Sequence, residues 1–207
     1  MISDLIGPRV RSWMLRVGRV VAGWGLSPNT LTLLGLALNV IVAAVIALGH
    51  PAAGGALLLV ASAFDMLDGA VARASDAVTR FGGFFDSTLD RYSEIVVFLG
   101  LLVYLLGTPE ARVGSLLVFT AAVGSLMISY ARARAEAAGY GASVGVLPRP
   151  ERVILLAICL LIGRPIWALS VLAILTHVTA AMRITHVWKE SRQAAAAVHG
   201  VGGAGGS

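Results

Sequence analysis

The chain has 207 residues; 57% belong to the set AVILMFWYC, only 13% are charged, and the formal net charge is +5. A soluble domain carries about 25% charged residues, so this deficit, with a mean hydropathy of +0.85, excludes disorder and argues against a soluble globular domain. Cys159 is the single cysteine, which excludes an intrachain disulfide scaffold.

The composition is that of an all-α integral membrane protein, and the expected elements run as follows. In residues 1–24, Arg9, Arg11, Arg16 and Arg19 interleave with Ile6, Val10, Trp13, Met14, Val17 and Val20. That pattern fits an amphipathic helix lying in the cytoplasmic interface with its arginines on lipid phosphates, rather than a secretory signal. Six transmembrane helices are expected at 29–49, 53–74, 83–107, 112–135, 150–163 and 165–188, the fifth of them short. Ser27–Pro28–Asn29 reads as the start of the first. Breakers separate the rest: Gly49–His50–Pro51, Ser75–Asp76, Gly107–Thr108–Pro109, the stretch 139–150, and Gly163–Arg164–Pro165. Residues 1–193 form one membrane domain in this reading, and the Ala- and Gly-rich stretch 194–207 is expected to be a disordered tail.

With both termini placed on the cytoplasmic side, 14 of the 16 Lys and Arg residues fall there, and only Arg112 and Arg164 fall opposite. This is a positive-inside distribution in a multi-pass protein of the cell membrane. It accounts for the net charge and leaves no soluble basic domain for nucleic acid.

Five of the eleven acidic residues lie between positions 65 and 90. Carboxylates within apolar spans are expensive and mark functional sites. Asp65 and Asp68 are spaced i, i+3, and Asp86 and Asp90 i, i+4, so each pair occupies one helix face on consecutive helices. Four converging carboxylates resist ionisation unless cations neutralise them. Hard oxygen ligands at this density suit Mg²⁺ or Mn²⁺, and four carboxylates balance two such ions, as in two-metal phosphoryl transfer. Gly69 leaves the helix surface bare beside Asp68, and Arg73, one turn on, presents a fork to phosphate. Gly82–Gly83 allows close packing at the start of the third span, and Asp76 is read as an interfacial partner for nearby arginines.

These residues form the run D-x2-D-G-x2-A-R-x8-G-x3-D-x3-D from Asp65 to Asp90, with Gly69, Ala72, Arg73 and Gly82 at the other fixed positions. It resembles the signature of the CDP-alcohol phosphotransferases, with every fixed position and gap met. The resemblance implies an enzyme that transfers a phosphatidyl group from a CDP-linked lipid to an acceptor hydroxyl and releases CMP. Carried over by position, it implies that Asp65, Asp68, Asp86 and Asp90 hold two metal ions. Asp90 is also the general base on the acceptor hydroxyl, and Gly69 and Arg73 contact the CDP moiety. Asn29, Thr30, Leu31 and Thr32, with Thr79, resemble positions lining the rest of the CDP-lipid site. A homodimer is implied by the family alone.

The acceptor is read from the second half. Ser129 to Glu136 and Pro148 to Arg152 are similar to segments of the phosphatidylinositol-phosphate synthases of actinobacterial type. There, basic residues on the fourth, fifth and sixth helices bind inositol phosphate; the matching positions are Arg132, Arg152 and Arg183, with arginine at 132 where lysine is common. Arg183, inside an apolar span, needs an anion or an acid in any case. Glycerol 3-phosphate is the alternative acceptor, and an ether-linked lipid donor stays open. Arg134 and Arg149 are equally well read as flanking charge. The four histidines show no metal spacing, Cys159 reads as a core residue, and Trp13, Trp24, Trp167 and Trp188 fall near span ends. A divalent-cation transporter is the rival class, disfavoured because arginines beside a cation path are counterproductive.

Overall fold

The computed structural model describes residues 27–74 and 79–202, with the side chains there except those of residues 67, 68, 72–74, 195 and 197–202. The expected interfacial helix at 1–24 lies outside these residues. Six α-helices follow in order: α1 (Pro28–Ala47), α2 (Pro51–Ala74), α3 (Arg80–Leu106), α4 (Ala111–Ala137), α5 (Arg149–Leu161) and α6 (Pro165–Gly202). There is no strand among the described residues.

Local chemistry sets the helix ends. Ser27 caps α1, its Oγ accepting the Thr30 N–H at 3.2 Å, and Pro28 occupies the first turn, where no amide is missed. Thr79 caps α3 in the same way, accepting from the Gly82 N–H at 2.9 Å. Proline also opens α2 and α6. Gly49, Gly139 and Gly163 take positive φ just beyond α1, α4 and α5, conformations that L side chains rarely adopt.

The contacts between helices close into a ring: α1 packs on α3, α3 on α4, α4 on α6, α6 on α5, α5 on α2 and α2 on α1. Val97, Phe98 and Leu101 of α3, Leu156 and Leu160 of α5, and Leu169 and Leu172 of α6 fill the interior. Small residues let the rods approach. A Cβ on Gly100 would lie 2.7 Å from the Ala43 Cα, so α3 and α1 touch backbone to backbone there.

Among the described residues, four helices are long and apolar enough to cross a membrane: α1, residues Pro51–Val71 of α2, α4, and residues Pro165–Ala194 of α6. Six had been expected. The difference lies in α3, which carries Arg80, Asp86, Asp90, Arg91 and Glu94 from its start to its middle, and in α5, whose 13 residues rise only about 20 Å. The last helix continues through Ala194 to Gly202, beyond the point where a disordered tail was expected. The run Ala194–Ala197 supplies the best helix formers and extends it. Only residues 203–207 of that stretch lie outside the described residues.

Candidate active site

Three of the signature acids, Asp65, Asp86 and Asp90, gather where α2 ends and α3 begins. Asp65 on α2 and Asp90 on α3 turn toward each other across the guanidinium of Arg149, from the first turn of α5. Nη2 of Arg149 donates to Oδ2 of Asp65 at 2.9 Å, and Nη1 lies 2.7 Å from Oδ1 of Asp90. Asp86 is close enough for its charge to act on both Asp65 and Asp90. The backbone of Asp68 continues the same helix one turn beyond Asp65; its side chain, like that of Arg73, lies outside the described residues. Asp65 is also held tightly from α1: a Cβ on Gly35 would fall 2.5 Å from its Oδ1.

Among the described residues, no three His, Cys, Asp or Glu side chains already form a metal cage. The described part of the cluster nonetheless fits a hard cation. Its donors are carboxylate oxygens only, and two of them, from different helices, already close on one positive group at hydrogen-bond distance. Asp65, Asp86, Asp90 and, by its helix position, Asp68 are the residues that would hold divalent ions.

A second polar layer lies deeper. Glu94, one turn after Asp90, accepts from Arg152 through Nε at 2.9 Å and Nη2 at 3.2 Å, and from the Ser125 hydroxyl at 3.0 Å. Arg91 donates to Ser129 Oγ and lies 3.5 Å from Oδ2 of Asp90. A cavity of about 30 Å³, enough for about one ordered water, separates the layers; Asn39, Ser62, Asp65, Ser93, Glu94, Arg149 and Arg152 supply its polar wall. Arg91 and Arg149 each keep a buried Nε with no hydrogen-bond partner among the described residues, donor capacity left beside the acids.

The three arginines expected on the acceptor phosphate arrive already engaged. Arg152 is buried on Glu94 and on the Leu147 carbonyl at 3.2 Å. Arg183 donates to the carbonyls of Ile128 at 2.7 Å and Val144 at 3.0 Å. Arg132 is exposed and pairs with Glu136 at 2.7 Å. They are nevertheless neighbours: the charges acting on Arg183 are those of Arg132, Arg152 and Arg91, opposed by Glu136. Of the positions expected in the CDP-lipid site, Asn29 is half-buried and Thr30 exposed, while Leu31 and Thr32 are buried. A Cβ on Gly82 would lie 3.0 Å from Thr79 Oγ1 and 3.6 Å from Asn29 Oδ1, so the starts of α1 and α3 meet beside the acids.

Glu94, Arg149 and Gly35 were not singled out from sequence as site residues. Glu94 had a signal, since 86, 90 and 94 share one helix face. Arg149 and Gly35 had none, because their partners are remote in the chain.

A helical membrane bundle with acids and arginines clustered at one end defines a membrane enzyme acting on phosphorylated groups. The chain belongs to the CDP-alcohol phosphatidyltransferase family, whose model matches residues 25–189. It is 35% identical over 180 residues to an archaetidylinositol phosphate synthase of Pyrococcus horikoshii, covering 86% of this chain and 93% of that one. It is 36% identical over 178 residues to a phosphatidylinositol phosphate synthase of Mycobacterium tuberculosis, covering 79% of this chain and 80% of that one. Crystal structures of the M. tuberculosis enzyme, one with CDP-DAG bound and one with manganese and citrate, superpose with a TM-score of 0.80 at 32% identity. They cover 84% of this chain and 93% and 88% of theirs. The protein is therefore a phospholipid-synthesis transferase, and the transporter reading falls away.

Proposed function

We propose that this enzyme transfers the phosphatidyl group of CDP-DAG to a hydroxyl of inositol phosphate, giving phosphatidylinositol phosphate and CMP. The observation that carries the reading is the convergence of Asp65 and Asp90 on one cationic group within a complete family signature. Relatives named for inositol phosphate products support the acceptor.

Asp65, Asp68, Asp86 and Asp90 would hold two Mg²⁺ or Mn²⁺ ions; the M. tuberculosis enzyme was crystallised with manganese. Bound there, the ions supply charge stabilisation to the phosphoryl oxygens of the transition state. Asp90 takes the proton from the acceptor hydroxyl, whose own pKa is far above neutrality. Asn29, Thr30, Leu31, Thr32, Gly69, Arg73 and Thr79 bind the CDP-lipid. Arg132, Arg152 and Arg183 orient the acceptor through its phosphate and so lower the entropic part of the barrier.

Six spans, with α3 and α5 crossing as members of the ring between the four plainly apolar helices, both termini and the site toward the cytoplasm, and a homodimer in the cell membrane complete the reading. Purified protein is incubated with CDP-DAG, Mg²⁺ and either inositol phosphate or glycerol 3-phosphate, and CMP is measured. Release with inositol phosphate is the expected result. Release with glycerol 3-phosphate alone reassigns the acceptor, and release with neither overturns the reading.

A further inference from the structure

Glu94 lies outside the family signature, yet it is the most elaborately bonded acid among the described residues. Both of its oxygens are engaged, Oε1 by Arg152 Nε and Ser125 Oγ and Oε2 by Arg152 Nη2, at 2.9, 3.0 and 3.2 Å. The side chains are only 12% and 3% exposed for Glu94 and Arg152. An ion pair this deep is a poor source of stability, because desolvation offsets most of the attraction and apolar residues of similar size would serve as well. What it does supply is orientation. The side-on fork fixes the plane of the Arg152 guanidinium, and the remaining contact, Nη1 to the Leu147 carbonyl, ties it to the residue before the α5 cap. Arg149 stands three positions earlier on that helix, hence on the same face, and its guanidinium meets Asp65 and Asp90. The first turn of α5 therefore carries both arginines, and Glu94 is its anchor in the bundle.

We propose that Glu94 is a positioning residue for the acceptor. Through Arg152 it sets the start of α5, and with it the phosphate-binding side of the site, in register with the aspartates of α2 and α3. This rests on the assignment of Arg152 to the acceptor phosphate.

The test is steady-state kinetics of the full-length enzyme with inositol phosphate and CDP-DAG varied in turn. Glu94→Gln keeps the shape and removes the charge. The KM for inositol phosphate is expected to rise about tenfold, the lower end of the loss known for residues that orient metal-ligating side chains, with the KM for CDP-DAG within about twofold. Glu94→Asp is expected to recover part of that loss. The double variant Glu94→Gln/Arg152→Gln is expected to be no worse than Arg152→Gln alone, since the two act as one unit. A Glu94→Gln enzyme with unchanged acceptor KM, or with both KM values raised equally, overturns the proposal when Arg152→Gln does raise the acceptor KM. If Arg152→Gln leaves the acceptor KM unchanged, the acceptor assignment fails and this proposal falls with it. Should Glu94→Gln not fold, Ser125→Ala decides, because it removes one hydroxyl donor only. A rise of about two- to threefold in the acceptor KM supports the role, and no rise overturns it.

Discussion

Oδ2 of Asp65 accepts a 2.9 Å hydrogen bond from Nη2 of Arg149, joining α2 to the start of α5 across 84 positions of sequence. The second nitrogen of the same guanidinium reaches Asp90 at 2.7 Å, so a protein cation stands between the acids proposed to hold divalent ions. A fixed positive charge at that place competes with a bound one. Arg149→Gln is expected to tighten Mn²⁺ binding about tenfold, or ~1.4 kcal/mol, measured by titration calorimetry or electron paramagnetic resonance. An unchanged or weaker affinity would count against a competing role for the guanidinium.

Gly35 is a position where a single methyl group should silence the site without unfolding the protein. Its Cβ would fall 2.5 Å from Asp65 Oδ1, the end of a rotatable side chain. The bundle is expected to accommodate the methyl by turning the carboxylate away, which costs little packing but moves an oxygen proposed to bind a metal ion by an ångström or more. Gly35→Ala is expected to lower turnover about 100-fold, in line with the penalty for ~1 Å misplacement, while shifting the melting temperature little. A loss of turnover matched by a large fall in melting temperature would point to general unfolding instead.

Asp90 is assigned the proton transfer. Asp90→Asn keeps its size and removes the basic oxygen, so turnover is expected to fall at least ~100-fold while CDP-DAG still binds. The binding half is read by the rise in thermal stability on adding CDP-DAG with Mg²⁺. Near-normal turnover in this variant would show that another group takes the proton.

These residues differ in how far the sequence exposed them. The spacing of Asp65, Asp68, Asp86 and Asp90 is a helical periodicity, which is written in the chain itself. So are the start at Ser27 and the prolines that open α2 and α6, each within a few residues of where a helix was expected, whereas Thr79, read as a ligand position, turned out to cap α3. The short α5 was legible as a short apolar run. Its length against the membrane, and the charged first half of α3, are what separate four plainly apolar spans from the six expected. Arg149 looked like flanking charge because nothing in its neighbourhood distinguishes it from Arg134; its meaning is its distance from Asp65 and Asp90. Gly35 is one small residue in an apolar helix until α2 is packed against it. Arg152 and Arg183 were expected to face a ligand, and the buried acid and carbonyls they hold are tertiary partners that no spacing encodes.

Arg132 and Arg183 should separate ligand binding from architecture. Arg132 is exposed, and its link to Glu136 is an i, i+4 surface pair worth about 0.3–0.5 kcal/mol. Arg132→Gln is therefore expected to raise the KM for inositol phosphate with no measurable change in stability. Arg183 is buried and ties α4, through the Ile128 carbonyl, to the 138–148 connection, through that of Val144. Losing it leaves two acceptors short of a charged donor, a cost of about 1.5–3 kcal/mol for each bond. Arg183→Gln is expected to raise the same KM and also to lower the melting temperature and speed amide exchange across residues 138–148. Hydrogen-exchange mass spectrometry of both variants checks this. Equal exchange in the two would remove the architectural role of Arg183, and equal effects on the KM values for CDP-DAG and for inositol phosphate would remove it from the acceptor side of the site.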